Sequence, residues 1–559
     1  MRLRMKSGFT LTIGLSVCLL QTACSLFHED YADSYRKPPE NLHEIMAARL
    51  TDMSRTEPVT VEQATARKLE QALATSQPAE RLDLSLADVR AAALTNNLDL
   101  EIEYVNPSIE QESVNEEEAA FEALLFGSVS HGVTDQPSRV IDGVASQARS
   151  TDYDLGVRVP LRTGGTVTVD VPYGRYDDRT VSTGGSGNNS LVIDPSYDMG
   201  LRFSISQPLL RGAGIRANTH AIRLAKYQKE VADARTKLAA IRILADADRS
   251  YWRLYAARRE LQVNQEQYDL ALRQLSDARK RVQAGDSPEI EIMRAESGVA
   301  ARLEAIIVAD TYVRRLEREL KRVMNRTDLP VSSTTTLTPT TDPNPLGLQL
   351  DAEALVDNAL VGRMELLELE LRLAIDSSTI DFERNKALPW IALDYTYQAN
   401  GVSDDADRVF HNALDNDYAD QTLALRAEVP LGNQAAKARL RRAMLERVQR
   451  LATREQRRQL IAQEVYDAVD ALEQDWQRIL AARQEVILSG RTYEAEKRQF
   501  ELGLRTSTDV LEAAARLANA QSREIQALAA YEISLIDIAY ATGNLIGHSS
   551  VIWEPTKLE

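Results

Sequence analysis

The feature that most limits what this chain can form is a ladder of apolar residues seven apart. Ala247, Leu254, Leu261, Tyr268, Leu275 and Val282 make one copy, with Ala257, Ala271 and Ala278 in the offset row. The ladder recurs in phase further along as Val465, Leu472, Ile479, Val486, Tyr493 and Phe500. A strict period of seven under-winds α-helices into a left-handed supercoil, and a row of alanines lets their backbones approach closely. No proline interrupts residues 218–283 or 433–502, so each helix is predicted to run about 100 Å. A compact globular core has no use for helices of that length. Each ends near a glycine, Gly285 or Gly503, followed by a Ser or Thr cluster and a second helix, predicted over 288–325 and 507–545. Pro288 suits a first helical turn. The unit is a helical hairpin, present twice.

Other landmarks repeat as well. Leu84 to Val89, with Ala93 and Leu94, returns as Leu350, Leu355, Ala359 and Leu360; Pro208-Leu209 returns as Pro430-Leu431. The offset between the copies shrinks from the first landmark to the second, so the first copy carries about 44 extra residues ahead of Pro208. Such duplication sets the domain plan. It predicts a first repeat at 84–327 and a linker at 328–349. A second repeat follows at 350–545 and a tail at 546–559. The N-terminal features described below add a signal peptide at 1–23 and an N-terminal lipidated arm at 24–83.

Between the helices the period falls from seven to two. Leu155, Val157, Val159; Val167, Val169, Val171; Leu201, Phe203, Ile205; Ile391, Leu393, Tyr395, Tyr397; and Leu423, Leu425, Ala427, Val429 read as strands with one apolar face. Thirteen of the 25 glycines fall between Gly127 and Gly214, and 184–189 reads as a loop tip. Two strands per repeat are expected, which makes four per chain and twelve in three copies. A further hairpin near 152–173 is either extracellular loop or additional wall. Tyr153, Tyr173, Tyr197, Tyr395, Tyr397 and Tyr418 suit an interfacial girdle or plain strand positions.

The first 24 residues hold Arg2, Arg4 and Lys6, an apolar run from Gly8 to Leu20, and then Gln21-Thr22-Ala23-Cys24. This is the layout of a secretory signal. The end of it resembles a bacterial lipobox, which implies lipidation of Cys24 after cleavage, with Gln21 where that pattern prefers Leu. Ser25 then implies sorting to the outer membrane. Cys18 and Cys24 are the only cysteines, so the body of the chain has no disulfide framework or Cys-based metal site. Elsewhere there is no run of 18 apolar residues, so further membrane contact requires strands closed into a barrel.

Against 66 basic residues stand 83 acidic ones, a net charge of −17, which argues against a nucleic-acid partner. His28, His43, His131, His220, His411 and His548 form no i, i+4 pair, and the chain has neither a phosphate-binding Gly-Lys loop nor a Gly-x-Ser-x-Gly elbow. No enzyme, no cofactor and no resident metal is expected. Asp404, Asp405, Asp407, Asp415, Asp417 and Asp420 read as a solvated loop.

The order strand, Ser206 to Gly212, long helix, Gly285 turn and second helix, repeated once, resembles the TolC-like outer-membrane efflux channel family over about 84–545. Its most telling motif is Phe500-Glu501-Leu502-Gly503 followed by Ser507, Asp509, Val510, Leu511 and Ala513, with Phe500 where the family has Tyr. The resemblance implies an α+β membrane protein. It would be a trimeric outer-membrane β-barrel continued by a long α-helical coiled-coil tunnel in the periplasm, built from two internal repeats. It implies a homotrimer in contact with outer-membrane lipid, whose hairpin tips at Gly285 and Gly503 dock a periplasmic adaptor joined to an inner-membrane pump. It places a constriction at Arg505, Asp509 and Glu512, with Glu291 and Arg294 as their counterparts by count in the first copy. A closed tip would need Arg505 or Arg294 bonded to a carboxylate or carbonyl of the neighbouring helix. Small molecules and proteins are both possible cargo. The competing reading is a structural or signalling coiled-coil lipoprotein of the cell envelope, which explains the heptads but not the duplicated strands.

Overall fold

The structure is a computed structural model that describes residues 61, 80–136, 146–183, 189–285, 287–415, 417–502 and 504–549. The expected signal peptide, Cys24, the arm apart from Val61 and 80–83, the 184–188 loop, Gly503 and residues 550–559 lie outside the described residues. The chain divides into a unit of residues 1–78 and one of 79–559, and the elements below belong to the second.

The first copy contains β1 (Arg81–Leu84), α1 (Leu86–Asn96), α2 (Leu98–Ala119), β2 (Leu124–Gln136), β3 (Ser146–Pro160), β4 (Thr166–Thr183) and β5 (Asn189–Pro208). It continues through the single turn α3 (Ile215–Asn218), α4 (His220–Gln283) and α5 (Ile290–Met324). The second copy contains β6 (Thr336–Pro339), α6 (Ala352–Gly362), α7 (Met364–Lys386), β7 (Trp390–Ser403), α8 (Ala406–Asp415) and β8 (Tyr418–Glu428). After these come α9 (Gln434–Glu501), α10 (Ser507–Ala541) and α11 (Leu545–His548). Helices α4 and α9 have 64 and 68 residues, so each is roughly 100 Å long.

Local chemistry sets the breaks. Ser85 opens α1 with a reciprocal cap, its hydroxyl accepting from the Asp88 amide and the Asp88 carboxylate accepting from the Ser85 amide, both at 3.2 Å. Asn97 separates α1 from α2, and at the matching place of the second copy Arg363 separates α6 from α7, with nearly the same extended backbone. The position is duplicated but its chemistry is not. Asn97 caps α2 by accepting from the Leu100 amide, whereas the buried Arg363 pairs with Glu365 at 2.7 Å and Glu464 at 2.8 Å.

The ladder residues bury against neighbouring helices of the same chain. Leu254 and Leu261 share a cluster with Val313, Leu316 and Leu320 of α5 and Ile536 of α10; Leu472 and Ile479 pack on Ala527, Tyr531 and Ile538 of α10. Nearer the strands, α2, α4, α7 and α9 lie side by side in that order. Lys229 donates to Gln111 at 2.7 Å, Arg235 pairs with Glu368 at 2.7 Å, and Arg454 pairs with Glu370 at 2.9 Å. Toward the far end the row is α5, α4, α10 and α9, joined by Arg279 with Glu296 at 2.8 Å and by Arg249 with Asp537 and Arg483 with Glu524 at 2.6 Å. The core is thin because the wall is one helix layer, not a globule.

The segment expected to be a plain linker is an ordered strap. Its strand β6 pairs in parallel with β1. Buried Lys321 donates to the carbonyls of Ser333 and Thr335 at 2.9 and 2.7 Å, and Glu317 accepts from the Leu337 amide at 2.8 Å. The Tyr251 hydroxyl accepts from the Thr341 amide at 2.8 Å, and Tyr531 donates to the Leu346 carbonyl. Tyr251 and Tyr531 lie 90 and 185 residues from the strap atoms they hold, and Lys321 and Glu317 lie 12 to 20 residues away on α5, so no local pattern announced them.

One antiparallel sheet runs in the order β2-β3-β4-β5-β7-β8. Among the described residues the first repeat therefore supplies four strands to this sheet, not the expected two, and the chain six, not four. Strand β2 escaped the periodicity because Gly127 and His131 interrupt its outward row of Leu125, Val129 and Val133. Tyr153, Tyr173 and Tyr197 gather on one side, with ring centroids 5.9 and 6.3 Å apart. Tyr395 and Tyr397 sit lower on that face, opposite Ile205 and Phe203, while Tyr418 opens β8.

Candidate functional site

The expected site lies at the far ends of the two hairpins. At the first, α4 ends on a tight turn in which the Gly285 amide donates to the Val282 carbonyl at 3.0 Å. Gly285 has φ +82°, a left-handed conformation that only glycine adopts cheaply. One turn into α5, Arg294 pairs with Glu291 at 2.7 Å. Within this chain Arg294 pairs with a carboxylate of its own helix.

At the second tip, Thr506 caps α10. The Thr506 amide and hydroxyl both donate to the Asp509 carboxylate at 2.9 Å, and the Thr506 hydroxyl accepts from the Asp509 amide at 3.3 Å. Hydrogen bonds from the Thr506 amide and hydroxyl hold the Asp509 carboxyl below its usual range. Asp509, expected as a pore charge, has a capping role as well. The pairing of Thr506 with the acid at 509 was the legible sign of such a cap, in the second copy only, since Pro288 takes the place of the threonine in the first.

Arg505 does reach across to the preceding helix, pairing with Glu496 at 3.2 Å and donating to Gln499 at 3.0 Å. Glu512 points outward with Arg516 at 3.3 Å. These exposed pairs contribute little stability, so their charges remain available to solvent and ligands. Two features at the tips had no sequence signal. Arg281 of α4 lies 4.2 Å over the Phe500 ring of α9, tying one hairpin to the other. Leu502 and Leu504 stand 75% and 72% exposed on either side of the turn.

The comparisons with known proteins agree with this architecture. Residues 355–544 match the family model described as outer membrane efflux protein. No curated protein matches the chain in sequence. Among solved structures, CusC is 15% identical with a TM-score of 0.59 over 84% of this chain and 95% of that one, and its description speaks of transmembrane channel formation. The CmeC outer membrane channel of Campylobacter jejuni is 14% identical with a TM-score of 0.60, over 82% of this chain and 86% of its own. The outer membrane protein VceC of Vibrio cholerae is 13% identical with a TM-score of 0.58, over 82% and 96%. Residues 355–544 are thus an outer membrane efflux protein domain, and the two-repeat fold around them is that of the TolC-like outer-membrane channels.

Proposed function

We propose that this chain is the outer-membrane conduit of a tripartite export system. It works as a homotrimer anchored through Cys24, passive and without a catalytic step, carrying small molecules or proteins from an inner-membrane pump through the periplasm and outer membrane. The observation that carries this is a wall open at both sides. Helix α2 stands at one side with Leu98, Ile102, Val105 and Ile109 exposed in a four-three-four spacing, and α9 stands at the other with Leu445, Val448 and Leu451 exposed. Apolar stripes on opposite edges of one helix layer are satisfied when copies join edge to edge into a ring.

In this reading the tips at Gly285 and Gly503, with Leu502 and Leu504, dock the periplasmic adaptor, and Asp509 and Glu512 make rings of like charge at the entrance. Arg505 ties the second tip to α9 through Glu496 and Gln499, and Glu291 and Arg294 are the charges at the same level of the first tip. The trimer in planar bilayers should conduct with cation preference and be blocked by multivalent cations from the tip side. Replacing Asp509→Asn and Glu512→Gln together keeps hydrogen-bonding capacity but removes the charge, so selectivity and block should both fall. Arg505→Ser should raise resting conductance by releasing Glu496. Unchanged selectivity, block and conductance would take these residues out of the gate, and absence of any conductance would favour a structural lipoprotein. Separately, intact mass of membrane-extracted protein should begin at a diacylglyceryl-modified Cys24; a retained Met1 or an unmodified thiol at Cys24 contradicts the anchor.

A further inference from the structure

We propose that the hairpin of β2 and β3 is part of the membrane wall, so that three copies of the six-stranded sheet close an eighteen-stranded barrel, with β8 of one copy pairing with β2 of the next. This rests on the trimeric reading above and adds to it the closing edge and the width of the lumen.

The first support is continuity of the outer face. One row of paired residues crosses the whole sheet: Leu125, Val157, Val169, Phe203, Tyr397 and Gln421. The apolar face of the four inner strands therefore extends without a step onto β2. Leu125 and Val129 are 74% and 69% exposed, which suits lipid and not a solvated loop.

The second is stagger. A parallel row starts at Leu124, the first residue of β2, and passes through Arg158, Thr168, Ser204 and Thr396 to Thr422 of β8. Thr422 lies six residues from the end of β8 at Glu428. A rise of about 20 Å over five steps of about 4.8 Å is a strand tilt of about 40°, within the range of closed barrels. The added hairpin follows the same slope as the rest.

The third is fit to the helices. At that tilt each strand occupies about 6.3 Å of circumference, so six take about 38 Å and four about 25 Å. Beneath them α2, α4, α7 and α9, at about 9 Å between axes, take about 36 Å. Six strands at this tilt match the four-helix wall. The edges also suit one another, since β2 leads away from the helices and β8 leads toward them, giving an antiparallel join, and neither edge has a partner strand among the described residues. Eighteen strands give a backbone diameter of about 36 Å and twelve about 24 Å. With no narrowing at the barrel, selection of cargo passes to the hairpin tips.

Cysteine pairs in full-length protein test the joining edge. Ser128→Cys on β2 is combined in turn with Thr422→Cys, Ala424→Cys and Arg426→Cys on β8; Thr168→Cys on β4 with the same three partners is the opposing arm. The expected result is that one or more Ser128 pairs drive most of the chain into reducible dimers and trimers, that the Thr168 pairs give none, and that the single variants give none. Electron microscopy of the particle in lipid nanodiscs should show a wall about 36 Å across. Cross-links through Thr168 without any through Ser128, or a wall only about 24 Å across, would overturn the eighteen-stranded barrel while leaving the trimer in place. A monomeric particle with no cross-link in either arm would overturn both.

Discussion

Leu261→Asp and Ile479→Asp should each abolish the folded trimer. Both side chains are buried between the long helix and the second helix of a hairpin, Leu261 in the cluster with Leu316 and Leu320, and Ile479 against Ala527 and Tyr531. A carboxylate there loses its water and finds no free counter-ion, because Arg258, one turn from Leu261, is already paired with buried Glu317 of α5, and Arg483, one turn from Ile479, with Glu524. An unpaired buried charge costs roughly 3 to 5 kcal/mol, on top of the lost apolar contacts. That is a large share of the stability of an ordinary domain. Membrane-extracted yield and the melting of the trimer measure it, with Leu261→Met and Ile479→Val as mild controls expected to stay near wild type. Wild-type melting of the Asp variants would mean that the ladder is not the packing seam.

Arg90→Ala should be nearly as damaging, although it removes a cation from what looks like a polar turn of α1. Arg90 grips Asp248 of α4 through two hydrogen bonds of 2.8 Å, and the Asp248 side chain is fully buried. Burial pushes the Asp248 carboxyl above its usual range even against the pull of Arg90. Deleting the guanidinium leaves a buried carboxylate without its counter-ion, a loss of about 3 to 5 kcal/mol. The pH dependence carries the sign. A carboxyl with a raised folded-state pKa favours folding when protonated, so the deficit should be full at neutral pH and shrink as acid brings the carboxyl through that raised value. Arg90→Met with Asp248→Leu removes both charges and should recover most of the loss. Melts of the wild type and the two variants at neutral and mildly acidic pH check this; a double variant as unstable as Arg90→Ala would show that packing, not charge, holds α1 to α4.

The sequence by itself determined the repeating elements. A seven-residue ladder free of proline forces long helices wherever it occurs, and alternation forces strands, because both periods are properties of the backbone that hold whatever the partner is. The hairpin turn at Gly285 was legible for the same reason, since a positive φ has a residue signature. What the sequence left open needed contacts between distant residues. Strand β2 became legible only through its pairing with β3, because Gly127 and His131 break its own pattern. The strap at 328–349 has no period at all and is ordered by Lys321, Glu317, Tyr251 and Tyr531 from three helices. At the tips, the family resemblance picked out Arg505, Asp509 and Glu512, but their bonds to Glu496, Thr506 and Arg516 and the seat of Arg281 on Phe500 were decided in three dimensions. Local geometry is encoded within a few residues, whereas charge pairing and strand count depend on which elements the fold brings side by side.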